Sequence, residues 1–123
     1  MSSSDINSRN IKIKRVYEPE ENSDGFRILV DRLWLRGIKK EDLHIDVWLK
    51  EIAPSPALRK WFNHDLEKWK QFKTKYNAEL KRSAFTEQIL AETEKHHTIT
   101  LVYSAKNEKH NQAVVIKEFL GKI

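Results

Sequence analysis

The stretch FRILVDRLWLRG, residues 26–37, decides the fold. Ile28, Leu29 and Val30 stand in unbroken sequence. Such a run, apolar on consecutive positions, predicts a strand covered on both faces and hence a parallel sheet packed between helices. The run spans Phe26 to Leu33 and carries Asp31 and Arg32 at its end, and Gly37 is free to take the positive φ of a turn leading away.

Upstream, Ile11 and Ile13 alternate with Lys12 and Lys14, which predicts a half-buried strand over Ile11 to Tyr17 with the lysines outward. Glu18 to Gly25, with Pro19, Asn22 and Asp24, reads as a loop. Residues 1–10 are polar and aperiodic and are expected to form a disordered tail, leaving residues 11–123 as a single domain.

Downstream, Ile38 to Leu43 suits a short helix, and Asp46 to Ala53 fits either a short strand or an irregular packed segment. Ser55-Pro56 is a sharper signal: Ser caps helix N-termini, and Pro is suited to the first helical position, where its missing N–H is not needed. A helix is predicted from there to about Asn63. Asp65 can cap a second to about Arg82, with Leu66, Trp69, Phe72, Tyr76 and Leu80 as its buried stripe. Ser83 opens a third helix with Phe85, Ile89 and Leu90 inward. Thr98 to Tyr103 is a β-branched strand, and Asn107 can cap a final helix that buries Ala113, Ile116 and Leu120. The expected class is therefore α/β: one compact domain with a small, mostly parallel sheet of three to four strands flanked by helices.

Composition narrows function. A chain of 123 residues has room for one core, and 39% hydrophobic residues with four Trp can fill it. With no cysteine, thiolate nucleophiles and sulfur-bound metals are excluded. No apolar run reaches the roughly 20 residues of a membrane span, and the first residues lack the apolar segment of a secretory signal, so the expectation is a cytoplasmic, membrane-free protein. The formal net charge of +5 favours anionic partners. Much of the lysine is interleaved with Glu, as in EKWKQFKTKYNAELKR, the pattern of a solvated helix face. Nucleic acid is thus a weakly supported partner, and Trp61 and Trp69 fall on helical stripes that belong to a core.

Two strand ends collect chemistry. Ligands of open α/β sheets lie outside the carboxyl ends of strands. After the first of these strands come Asp31, Arg32, Trp34 and Arg36, where guanidiniums can clamp a phosphate or carboxylate and Asp31 can act as base or orienting group. An Asp31–Arg32 ion pair that only fixes the loop accounts for the same residues. After the other come Tyr103, Ser104, Lys106, His110 and Asn111, suited to an anion, with His110 able to pass a proton. An exposed polar helix start is the plain alternative.

The remaining candidates are weaker. His64-Asp65 is explained by the helix cap, and His96-His97 lacks a spaced third ligand, so no metal is expected. No GxGxxG, P-loop, HExxH or GxSxG pattern occurs, and no cofactor is expected.

Taken together, DGFRILVDRLWLRG, DVWLKEIAPSPALRKWFNHD and TLVYSAKNEKHNQAVVIKEFL resemble the signature segments of the domain of unknown function 488 family, in its YeaO-like branch, over about residues 11–121. The resemblance implies a compact α/β domain and maps the family's motifs also onto Gly37, Trp48, Lys50, Ser55, Arg59, Trp61 and His64. Leu35 stands where the family has Pro and Asn107 where it tends to have Asp. Other branches carry a Cys-His-Arg segment where this chain has Lys109-His110-Asn111, so thiol chemistry does not carry over.

The leading expectation is a protein that binds or acts on a small anionic ligand, phosphorylated or nucleotide-like, with Asp31 and His110 as acid–base candidates and Arg32, Trp34, Arg36, Tyr103, Ser104, Lys106 and Asn111 as binding residues. It requires the two polar turns to meet over one sheet edge. A nucleic-acid module without catalysis is the alternative, as is an interaction domain presenting Trp34 and Trp48.

Overall fold

A computed structural model of the protein describes residues 10–122. The expected N-terminal tail otherwise lies outside the described residues, but Asn10 is part of the first strand and pairs with Thr98. Four strands form one sheet: β1 (Asn10–Arg15), β2 (Phe26–Leu29), β3 (Val47–Trp48) and β4 (Thr98–Tyr103). Their order is β1-β4-β2-β3 and every pair is parallel. The ambiguous Asp46–Ala53 segment resolves into β3 followed by a 3-10 turn over Lys50–Ile52.

Four helices follow among the described residues: α1 (Pro56–Phe62), α2 (Trp69–Arg82), α3 (Ala84–Lys95) and α4 (Gln112–Gly121). The Ser55 hydroxyl caps α1 by accepting from the Leu58 N–H at 3.2 Å, with Pro56 at the first position. The Asp65 carboxylate caps a 3-10 turn, Leu66–Lys68, that leads into α2. Leu66 is therefore not in the buried stripe; on the 3-10 turn it points to solvent, 52% exposed.

The final helix starts later than expected. Asn107 does not cap it: its Oδ1 accepts from the backbone N–H groups of Lys109 and His110, both at 3.0 Å, and so closes a separate turn. Asn111 is the cap, accepting from the Val114 N–H at 3.1 Å. Both residues are Asn, and the choice between them was not a matter of local propensity.

The two sheet faces are covered differently. Ile11, Ile28, Val30, Ile99, Leu101 and Tyr103 face the helices and join Phe72, Tyr76, Ile89, Val115 and Ile116 in the main core. Leu29 and Val102 face the other way and join Val16 and Leu35, beneath Trp34, Ile38, Leu43, Ile45 and Trp48. Irregular chain rather than helix therefore covers the second face. Trp34 and Trp48 meet edge to face at 5.4 Å, and their N–H groups donate to the carbonyls of Ile38 and Asp31. These indoles are structural cover for the sheet.

The second face also holds a buried ionic cluster, which corrects the outward placement of Lys14. Lys14 is only 8% exposed and donates to Asp24 at 2.8 Å and to Glu21 at 3.0 Å. Arg27, 1% exposed, donates to the other oxygen of Asp24 at 2.5 Å, and Asp24 itself is inaccessible. Apolar alternation on β1 located the helix face correctly, but the opposite face is not solvent.

Candidate functional site

Because all four strands are parallel, their carboxyl ends share one edge of the sheet. The segments that follow them enclose a cleft of about 720 Å³. The chain after β1 supplies Arg15 and Tyr17, the turn after β2 supplies Asp31 to Arg36, the segment after β3 supplies Ala53 and Pro54, and the turn after β4 supplies Ser104 to Lys106 with His110. The last turn of α1 adds Arg59 and Lys60, and the chain just beyond it adds His64.

The two turns singled out from the sequence do meet. Asp31 is buried between them, its Oδ2 accepting from the Ser104 N–H at 3.1 Å and its Oδ1 from the Gln112 side-chain amide at 2.5 Å. Burial pushes the Asp31 carboxyl above the usual carboxylate range, against the opposing pull of Ser104, Gln112 and the nearby Arg59 charge. The Asp31–Arg32 ion pair is not formed. Arg32 instead donates through Nη2 to the carbonyls of Ala53 and Pro54, both at 3.1 Å, and its buried Nε has no hydrogen-bond partner.

The electrostatics of the cleft are lopsided. Arg15, Arg32, Arg36, Arg59, Lys60 and Lys106 line it together with a single carboxylate, Asp31. Among the described residues none of these six cations has a carboxylate within ion-pair distance, whereas Lys14 and Arg27 elsewhere do. Arg15 and Arg32 are held by backbone carbonyls, Arg15 through Nε to Ala105 at 3.1 Å. A carbonyl orients a guanidinium without neutralising it.

Other expected site residues divide between cleft and scaffold. Trp34, Arg36, Ser104, Lys106 and His110 line the cleft. Tyr103 does not; it is 2% exposed in the main core, and burial raises its hydroxyl's pKa. Asn111 reaches the wall, but its side chain is engaged in capping α4 and in donating to the Asn107 carbonyl at 2.9 Å. His110 packs edge to face on Trp69 at 5.0 Å, with Nδ1 3.2 Å from Asn107 Oδ1.

Residue-level reading of the sequence missed Arg15, Tyr17, Lys60 and Gln112. The signal for Arg15 and Tyr17 was their place at the end of a strand in a parallel sheet. Arg59 entered only through the family resemblance, and His64, set aside beside the Asp65 cap, kept its place only through that resemblance. His64 reaches the wall because it and Asn63 both adopt left-handed backbone, φ 57° and 47°, which turns the chain sharply after α1. That conformation is strained for histidine. Among the described residues no group of three or more His, Asp or Glu is placed to hold a metal, and no helix is long and apolar enough to cross a membrane.

Fold and cleft together define a small all-parallel α/β domain with a cationic cleft at its strand ends. The chain belongs to the DUF488 family, and the model of its inactive DUF488-N3 subclade matches residues 10–122. It is 50% identical over 111 residues to the uncharacterized protein YeaO of Escherichia coli, covering 90% of this chain and 96% of that one. An uncharacterized protein of Mycobacterium tuberculosis is 33% identical over 116 residues, covering 94% and 98%. No solved structure matches significantly.

Proposed function

We propose that the protein binds a small phosphorylated or nucleotide-like anion in this cleft and does not transform it. The observation that carries the reading is the set of six cationic side chains against one carboxylate, Asp31, converging where parallel sheets bind ligands. The cleft volume falls within the roughly 300–1,000 Å³ typical of small-molecule sites. The absence of catalysis is supported by the family's description as an inactive subclade. It is supported also by Asp31, whose oxygens each accept a structural hydrogen bond.

Nucleic acid is the weaker reading, because the two helix-borne indoles, Trp61 and Trp69, are taken up by lysines and the core. Lys68 and Lys75 lie over the Trp61 ring at 5.0 and 5.1 Å, and Lys73 lies over Trp69 at 6.0 Å. Both rings also pack against the core.

The test is thermal shift and calorimetry of the full chain against sugar phosphates, nucleotides, small carboxylates and oligonucleotides at low and high salt. A phosphorylated small molecule is expected to stabilise the protein, the effect is expected to shrink with salt, and Arg59→Ala is expected to weaken binding about tenfold or more. Turnover of the ligand would refute the non-catalytic part. Lack of stabilisation by every anion tried would refute the reading as a whole.

A further inference from the structure

Three large apolar side chains stand exposed on the described surface: Tyr17 at 51%, Leu33 at 70% and Leu66 at 52%. Two of them, Tyr17 and Leu33, lie on the wall of the cationic cleft. Apolar groups scattered singly over a surface need no explanation, but two at the mouth of a charged pocket present a surface that a bare inorganic ion cannot use.

Topology sets where they stand. Tyr17 follows β1 and Leu33 follows β2, and these strands flank β4 in the sheet. The two residues therefore arise on opposite sides of the Ser104–Lys106 turn, from strands about two interstrand spacings, or roughly 10 Å, apart. The Tyr17 ring is held in place: the Arg15 guanidinium lies over it, 4.8 Å from its centroid, and is itself tied to the Ala105 carbonyl. A phenol ring backed by a guanidinium and open to solvent is a platform for a second flat ring.

The charge of the cleft limits what is attached to that ring. A phosphate monoester brings about −1.5 to −2 near neutral pH, well short of six cations against one carboxylate. Arg32 and Arg59 line the cleft from the turn after β2 and from α1, and this excess of positive charge is matched better by two or more phosphates than by one.

Building on the anion-binding reading above, we propose that the ligand is a nucleotide with at least two phosphates, its base against Tyr17 and Leu33 and its phosphates toward Arg32 and Arg59. Base and phosphate ends are then recognised by different groups, stacking at the rim and charge within.

The experiment is calorimetry on the full chain with pyrophosphate, AMP, and the diphosphates of adenosine, guanosine and uridine, repeated on Tyr17→Ala and Leu33→Ser. At least one nucleoside diphosphate is expected to bind about tenfold or more tighter than pyrophosphate, since stacking on one aromatic ring is worth that much. It is also expected to bind tighter than its monophosphate. Either rim variant should bring that diphosphate toward the affinity of pyrophosphate while leaving pyrophosphate unchanged; both residues are exposed, so folding should be preserved. Equal binding of pyrophosphate and nucleotides, or rim variants without effect, overturns the base platform. Equal binding of mono- and diphosphate overturns the charge argument. In each of those cases the anion-binding reading stands, as it does if only other anions bind. Only silence from every anion removes both.

Discussion

Asp31 and Ser104, 73 residues apart in the chain, are joined by a hydrogen bond from the Ser104 N–H to Asp31 Oδ2 at 3.1 Å. With the Gln112 amide on Oδ1, this clasp fastens the turn after β2 to the turn after β4 and closes the floor of the cleft. Asp31→Ala leaves both donors without their acceptor and is expected to cost about 1–3 kcal/mol in urea unfolding.

The same carboxylate sets a pH dependence. Its folded pKa is raised, by burial first of all, above the unfolded value. Between the two values the folded state holds the proton more tightly, so this residue's contribution to stability falls as pH rises through that window and grows on acidification. Asp31→Asn should lack that gain on the acid side. Removing the Arg59 charge, as Arg59→Gln, should move the Asp31 titration further upward in carboxyl NMR. A downward move would contradict the assigned proximity.

In the buried cluster Asp24 behaves in the opposite sense. Burial alone would raise the Asp24 pKa, but hydrogen bonds from Lys14, the Glu21 N–H and Arg27 outweigh it, and the pKa is lowered. Burial would likewise lower Lys14, but its bonds to Asp24 and Glu21 prevail and raise it. The Asp24 contribution is present above the ordinary carboxylate pKa of 3.8 and is lost as pH falls through the folded value. That of Lys14 is present below 10.5 and is lost as pH rises through its folded value. Asp24→Ala strands the buried Arg27 guanidinium and leaves Lys14 with Glu21 alone, and is expected to cost about 3–5 kcal/mol or to prevent folding, read by circular dichroism.

His44 carries a third pH signature. Its ring bonds Glu20 through Nδ1 and Asp46 through Nε2, and these contacts raise its pKa above the ordinary 6.5. The stabilisation is full below 6.5 and fades as pH rises through the folded value. His44→Gln should abolish that decline in a series of unfolding midpoints; an unchanged slope would mean that the ion pairs contribute nothing.

Two glycines should respond unequally. Gly25, at φ 65°, sits where an added Cβ would lie 2.2 Å from the Thr98 carbonyl oxygen, and that oxygen belongs to β4 and cannot retreat. Gly25→Ala is expected to cost about 3 kcal/mol or more. Gly37, at φ 80°, has open space around it, and Gly37→Ala should cost only the backbone strain, about 1–2 kcal/mol. Thermal unfolding of the two variants side by side distinguishes steric from conformational cost.

What the sequence by itself determined were features set within one turn of chain or one repeat of a pattern. The apolar run Ile28 to Val30 marked a central strand, Thr98 to Tyr103 a second, Ser55-Pro56 a helix start, and Asp31 with Arg32 a polar strand end. Each is a local preference of capping, pleat or helical period, written in neighbouring residues. Tertiary structure decided the rest. Lys14 looked solvent-facing until Asp24 and Glu21 met it on the second face, and Asn111 rather than Asn107 became the cap once Asn107 closed its own turn. The charge of the cleft was the largest such decision. Whether a cation is neutralised depends on which carboxylates lie within a few ångströms, and in this fold that distance joins segments as far apart as Arg15 and Ala105. Parallel pairing of all four strands brought those segments to one edge, and no local pattern encodes which strands become neighbours.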